Sequence, residues 1–489
     1  MPDHATCPVC SDRVELTPQR RQLRAHDHGG RRCPGSGKKP PVTRLGRYWS
    51  RLTLITKVLN VVVFTIVAGA LGILSFFRFQ PGSQTVTIGN SPQQLVSSDS
   101  ANTPADNDSG RPSISSTGRY VAFTSDASNL SPLATNGLYN IYRKDTVTGQ
   151  VYLASRPATG NAANGPSQFP EICGDGRYTA FASEATNLTS SGSVTGSFYQ
   201  VYVNDAVTQQ TTLVSVNDAG APADGDSRAP YFNRDCSEIV FESRADNLTP
   251  GDTNKSSDVF VRNLRTGKTV LASVSSDGAP LNGDSTHADM SADGDIVAFT
   301  TWADNLPGAI PGHPGVYLRD LLTGKTVPVS AAFKKLGPGV QGFSWPSFSP
   351  DGRYLIFRSI TDALDPSYRG KYVLVWDVKK NSSLFSDNGF PSGWDDACTT
   401  GVNNGTDFSP VMSDPTAQHS YRVLFTVANN GVCNLELRDL DGNAIPVKST
   451  INYQQVAEPT INSSGDYLAW DVVSQPQLVY SCQVDECSA

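Results

Sequence analysis

An all-β fold, a seven-bladed β-propeller of four-stranded blades, is what this sequence predicts for residues 85–489. Three observations carry that expectation. One strand-like segment returns along the chain, as GRYVAFTS (118–125), GRYTAFAS (176–183), SEIVFES (237–243), GDIVAFTT (294–301), GRYLIFRS (352–359), YRVLFTV (421–427) and GDYLAWDV (465–472). Its aromatic position is held by Phe123, Phe181, Phe241, Phe299, Phe357, Phe425 and Trp470, the first four steps being 58, 60, 58 and 58 residues. Self-similarity at such a period marks a repeat architecture. The composition agrees, because 17% charged residues against 42 Gly and 32 Pro suit turn-rich β-structure rather than a helical enzyme.

Each repeat holds four short alternating strands. In the third they are expected at 230–233, 239–243, 259–263 and 269–274, with polar turns between them. Asp351-Gly352 suits a tight hairpin between first and second strands. Four-stranded units repeated around a circle make a propeller. The last repeat shows three strands, at 459–462, 467–471 and 477–480, while QQLVSS (93–98) reads like the fourth strand TTLVSV (211–216). Pairing that N-terminal strand with the C-terminal three closes the ring and hides both edges.

The segment PSFSPDGRYLIF (346–357), with PSISSTGRYVAF (112–123) and PTINSSGDYLAW (459–470), resembles the PD40, or WD40-like, repeat of TolB-type propellers. The resemblance covers about four-fifths of the chain and implies the fold. That family includes binding modules and the non-catalytic propellers of peptidases, so function has to be read from a site.

Ahead of the propeller the chain changes character. Residues 58–77, VLNVVVFTIVAGALGILSFF, carry no charge. Twenty residues at about 1.5 Å each span about 30 Å, the hydrocarbon thickness of a bilayer. A transmembrane helix is expected over 52–78, with a basic linker at 38–51 and a short linker at 79–84. A signal peptide is the alternative, but its apolar core is shorter and nearer the N-terminus. Up to Lys57 there are 12 Lys/Arg against 4 Asp/Glu, leaving 27 against 42 beyond. Basic flanks stay in the cytoplasm, so the expected protein is a single-pass cell-membrane protein with a cytoplasmic N-terminus and an extracytoplasmic propeller. The acidic body excludes nucleic acid as a partner.

Residues 1–37 hold Cys7 and Cys10 in a C-x-x-C pair, Cys33 as a third sulfur, and His26 or His28 to complete a tetrahedron. That is a closed structural zinc set in a segment too short to bury a core; a basic tail with free thiols is the alternative. Cys7-Pro8-Val9-Cys10, Leu23-x-x-His26 and Cys33-Pro34-Gly35-Ser36-Gly37 resemble a short zinc-binding element of bacterial proteins, which implies His26 as the fourth ligand.

Two loop positions recur on what a propeller makes one face. Asn129, Asn187, Asn247 and Asn305 follow the second strands; Asp108, Asp226 and Asp284 precede first strands. They are the candidate binding residues, as an arc around one mouth, unless they cap their own turns. Asp252, Asn254, Ser256 and Asp258 space oxygens as the start of a calcium loop does, without the glycine at position 6 or the acid at position 12 of an EF-hand. A plain polar turn is the alternative. Six cysteines in the body allow fifteen pairings; Cys482–Cys487 and Cys398–Cys433 are the local choices, leaving Cys173–Cys236 between neighbouring repeats.

No G-x-S-x-G elbow or spaced Ser/His/Asp set is present. The expectation is therefore no enzyme but a membrane-anchored module for a protein or cell-wall glycan partner. A glycan hydrolase or lyase using the acidic mouth, and a sensor coupling the propeller to the zinc head, are the alternatives.

Overall fold

The computed structural model describes residues 4–6, 13–15, 27–28 and 31–32, and the chain from Gln94 onward. From Gln94 it omits 135–136, 158–162, 190–193, 195–197, 334–339, 362–370, 385–394, 397–410, 417–419, 430–431, 441–443, 446–455, 465, 473–476 and 485–489. Two compact units result, Met1–Val86 and Thr87–Ala489. In the first, His4–Thr6 pairs with Arg13–Glu15 and Asp27–His28 with Arg31–Arg32, both antiparallel. Cys7, Cys10, His26, Cys33 and the 58–77 span lie outside the described residues. Among the described residues no helix is long and apolar enough to cross a membrane.

The second unit is built from antiparallel sheets of consecutive strands. Sheet A holds Ser109–Ile114, Tyr120–Ser125, Asn140–Asp145 and Val151–Leu153; sheet B holds Ser167–Ile172, Tyr178–Ser183, Gln200–Asp205 and Gln210–Leu213. Sheet C holds Ser227–Phe232, Glu238–Ser243, Asp258–Asn263 and Lys268–Leu271; sheet D holds Ser285–Met290, Ile296–Thr301, Gly315–Asp320 and Lys325–Pro328. Sheet E starts at Val340–Phe348 and gains an extra pairing of Asp395–Asp396 on its third strand; sheet F runs from Val411–Met412 to Ala444–Ile445. Sheet G joins Val456–Ile461, Tyr467–Val472 and Leu478–Gln483 to Gln94–Leu95. The first strand of each sheet lies against the first strand of the next, and that of G returns to A, so the first strands enclose a channel.

The recurrent aromatic lies in the core of sheets A to D and of sheet G. Phe123 stacks on Tyr142 at 5.6 Å, Phe181 on Tyr202 at 5.9 Å, Phe241 on Phe260 at 5.8 Å and Phe299 on Tyr317 at 6.3 Å. Trp470 and Tyr480 repeat the pair in sheet G. Second and third strands thus bury matched rings between adjacent sheets, where each offset stack adds about 1 kcal/mol beyond area burial. The Arg of GRY holds the end of the third strand: Arg119 pairs with Asp145 at 2.8 Å and Arg177 with Asp205 at 2.7 Å. Its glycine is steric. Gly176 has φ 76°, and a Cβ there would sit 2.1 Å from the Tyr120 ring of the preceding sheet.

Closure follows the predicted route. Leu95 faces Tyr480 and Gln94 faces Ser481, and Val96 donates its N–H to the Val479 carbonyl at 2.8 Å. Lys144, wholly buried, holds the same segment by donating to the carbonyls of Ser98 and Asp99 at 3.0 and 2.9 Å. Burial lowers its pKa to about 8. Cys173 and Cys236 form a disulfide between sheets B and C, with Cα atoms 6.0 Å apart. Cys482 is also disulfide-bonded.

Candidate functional site

The loop residues singled out by recurrence tie the framework together. Asp226 Oδ1 accepts the N–H of Tyr199 at 2.9 Å, Asp284 Oδ1 that of Ser257 at 2.9 Å, and Asp108 Oδ1 that of Gln477 at 2.9 Å. Each carboxylate caps the third strand of the preceding sheet rather than its own turn, and for Asp108 that sheet is G, across the ring closure. The asparagines clamp two loops of one sheet. Asn129, Asn247 and Asn305 donate from Nδ2 to the carbonyls of Pro104, Pro222 and Pro280 at 2.7, 2.8 and 3.1 Å. Their Oδ1 atoms, and that of Asn187, accept the N–H groups of Asp106, Asp224, Asn282 and Asn164. The structure therefore places these residues on one face and gives each a framework bond.

What the recurrence did not reveal lies three residues further in. Each described first strand in sheets A to E breaks register where one extra residue enters, between Gly110 and Ser113, Gln168 and Glu171, Arg228 and Tyr231, Thr286 and Asp289, and Ser344 and Ser347. At that bulge the backbone turns left-handed in five equivalent residues: Arg111 (φ 53°), Phe169 (56°), Ala229 (48°), His287 (49°) and Trp345 (61°). None is glycine, so each holds a strained conformation of the kind found at binding and catalytic sites. A proline follows in four of the five, tolerated because the ladder is interrupted there. The strain is supported from the neighbouring sheet. Glu242 accepts the His287 N–H at 2.5 Å, and Thr300 Oγ1 accepts that of Trp345 at 3.2 Å.

These side chains engage one another around the inner wall. The Arg111 guanidinium lies 4.5 Å over the Phe169 ring, and the rings of His287 and Trp345 are 3.7 Å apart. The Arg358 guanidinium also lies over the Trp345 ring, at 5.1 Å. Beside Arg111 a pocket of about 200 Å³ is lined by Asp108, Thr124, Tyr139, Gln168 and Gln477. Burial, then the charges of Asp126 and Asp108, raises the Tyr139 pKa.

Carboxyl groups stand behind the bulges. Burial pushes Glu171 up to about 8, Glu242 to about 7 and Asp289 to about 6. The Asp289 charge adds to the rise at Glu171, while the Ser113 hydroxyl, donating at 2.9 Å, opposes it. Tyr231 on the same wall is 40% exposed, so water reaches the channel and tempers these shifts. Glu171 keeps its proton in the folded chain up to about pH 8, whereas the unfolded chain releases it near its ordinary value of 4.5. Stability contributed by the protonated group therefore falls as pH rises between those values. Glu171→Gln is expected to be more stable than the parent at pH 8.5 by about 2 kcal/mol, and equal to it at pH 4. Urea midpoints at the two pH values measure this, and an equal offset at both would remove Glu171 from the pH response.

No protein-family model and no curated protein matches the chain. Solved propellers do. TolB from Acinetobacter baumannii is 17% identical, with a TM-score of 0.35 over 60% of this chain, which spans 62% of that protein's length. An oligogalacturonate lyase in complex with manganese is 14% identical, with a TM-score of 0.48 over 80% of this chain and 96% of the other. The β-propeller domain of the Trilobed protease from Pyrococcus furiosus is 13% identical, with a TM-score of 0.45 over 78% and 94%. These likenesses concern the fold. One expectation is corrected by them: enzymatic activity was set aside from the sequence, yet the similar propellers include that lyase, prolyl endopeptidases and an acylaminoacyl peptidase.

Proposed function

We propose that Thr87–Ala489 is a seven-bladed, TolB-like propeller that binds a protein or cell-wall glycan through the loop-bearing mouth of its channel. The observation that carries this reading is the set of left-handed bulges, which present Arg, Phe, Ala, His and Trp at one repeated position of an otherwise uniform framework. In the same reading residues 58–77 anchor the chain in the cell membrane, Cys7, Cys10, His26 and Cys33 hold zinc in the cytoplasm, and the propeller lies outside. The Cys173–Cys236 disulfide supports that compartment, since cytoplasmic thiols stay reduced.

The test is capture from native envelope by the full-length chain and by a variant carrying Arg111→Ser, His287→Ser and Trp345→Ser. Ala229 occupies the same conformation, so the framework does not need a large side chain there, and loss of the Arg111–Phe169 and His287–Trp345 contacts should lower the melting point by only a few degrees. Aromatic and Arg anchors are worth about 2 kcal/mol each at an interface, so affinity for a captured, identified partner should fall at least about 100-fold. Equal binding by the variant would refute the channel-mouth site.

One observation favours a catalytic second reading. Glu171 and Asp289 are buried carboxyl groups on the first strands of sheets B and D, their pKa values both raised by burial, with the Asp289 charge acting on Glu171. A carboxyl pair is what glycoside cleavage uses. Turnover of a wall polysaccharide, lost in both Glu171→Gln and Asp289→Asn, would select it.

A further inference from the structure

Asn129 and Asn140 in sheet A, and Asn247 and Asp258 in sheet C, bracket loops of the same length, so their positions correspond one to one. Two buried positions differ. Sheet A has Ala134 and Asn140, 3% and 1% exposed; sheet C has Asp252 and Asp258, 5% and 0% exposed. Asn140 uses both ends of its amide, donating to the Leu138 carbonyl at 2.7 Å and accepting from Ser155 at 3.2 Å. Gln200 does the same in sheet B, with the Ala223 carbonyl and Ser215. Asp258 retains the serine bond, from Ser273 to Oδ1, but has no amide nitrogen to donate. Its Oδ2 is buried without a well-aligned hydrogen bond, although the Asn254 side chain is close enough to lower the Asp258 pKa. Asp252 Oδ1 and Thr249 Oγ1 in the same loop are likewise buried without a partner.

The charges acting on this pair are all negative. Asp252 feels Asp258, Asp246 and Asp224, and Asp258 feels Asp284 and Asp246. Lys255, within the loop, is exposed. Buried carboxylates that face no cation are costly, and a missing hydrogen-bond partner on each adds to that cost. Two acids that replace an alanine and an amide together, each with an open oxygen, have the chemistry of a cation site.

We propose that Asp252 and Asp258 hold a calcium ion in this loop. The loop is already shaped: Asn254 Oδ1 accepts the Ser256 N–H at 2.7 Å, and its Nδ2 donates to the Leu281 carbonyl at 2.8 Å, fastening the loop to the segment that leads into sheet D. Among the described residues no three His, Cys, Asp or Glu side chains converge, so the other ligands are hydroxyl, carbonyl and water oxygens. Calcium accepts such a mixed, irregular oxygen shell at 2.3–2.6 Å, whereas magnesium demands near-octahedral geometry and zinc prefers sulfur and nitrogen.

The experiment compares the full-length chain in detergent with a variant, Asp252→Ala with Asp258→Asn, that copies the pair of sheet A. Calcium chloride is titrated by calorimetry in calcium-free buffer, and melting is followed with calcium, with magnesium and with neither. The parent is expected to bind one more calcium ion than the variant and to melt about 3 °C higher at 100 times the dissociation constant. The variant, melting without calcium at or above the parent, is expected to show no such rise. Asp258→Asn alone should weaken binding by about tenfold or more. No calcium response in the parent, or an equal one in the variant, would overturn the assignment.

Discussion

Replacing Val96 by Asp is expected to cost more than about 4 kcal/mol and to turn reversible unfolding into aggregation. Val96 is wholly buried, in a cluster with Ile114, Val121, Phe123 and Val479, and it belongs to the short segment that completes sheet G. A carboxylate there meets apolar neighbours on every side. Expelling the segment to hydrate that charge frees the edge of Leu478–Gln483 and breaks the three-way hold of Lys144 on Ser98 and Asp99. An exposed strand edge then pairs with other chains. Urea unfolding with light scattering measures both effects. A loss below about 1 kcal/mol would mean that the ring does not depend on its N-terminal strand. Gln94→Ala, which removes one bond to the Thr146 carbonyl, should cost only about 1 kcal/mol.

Phe241→Ala carries the second large expectation, a loss of about 3–5 kcal/mol. The ring is wholly buried, stacked on Phe260 and packed among Ala180, Val201, Ile239 and Leu248. Truncation leaves a cavity between sheets B and C that the Cys173–Cys236 disulfide restrains from collapsing. Phe241→Leu should cost less than half as much, because most of the volume stays filled. Denaturant midpoints of the two variants, measured with the disulfide intact, test this. Equal losses would show that ring stacking rather than volume governs the site.

The framework was legible because it rests on local periodicity. Alternation with period two placed the strands of sheet C within a few residues of Ser227–Phe232 and Glu238–Ser243, and the similarity of QQLVSS to TTLVSV identified the closing strand. Setting aside the local cysteine pairs left Cys173–Cys236, which the fold brings together. The inner wall was not legible. An inserted residue shifts the pleat between Gly110 and Ser113, so alternation fails where Arg111 stands. Its counterparts Phe169, Ala229, His287 and Trp345 share no chemistry, so recurrence passes over them. A weaker signal was present, a changing residue between a fixed small-polar start and a following proline. The loop acids carry a structural role that the sequence did not show. Asp108, Asp226 and Asp284 recur because each bonds to the preceding sheet, a partner remote in sequence or hidden by the ring closure.

The left-handed bulges have an evolutionary consequence. The His287 and Trp345 backbones are held from the sheet behind by Glu242 and Thr300, and the position accepts side chains of very different chemistry. Arg, Phe, Ala, His and Trp already occupy the position at similar dihedral angles. Arg111 lies on Phe169 and His287 on Trp345, so neighbouring positions change together, and five such positions along one inner wall make a combinatorial address. A lineage can vary what the inner wall displays while leaving the scaffold that displays it untouched.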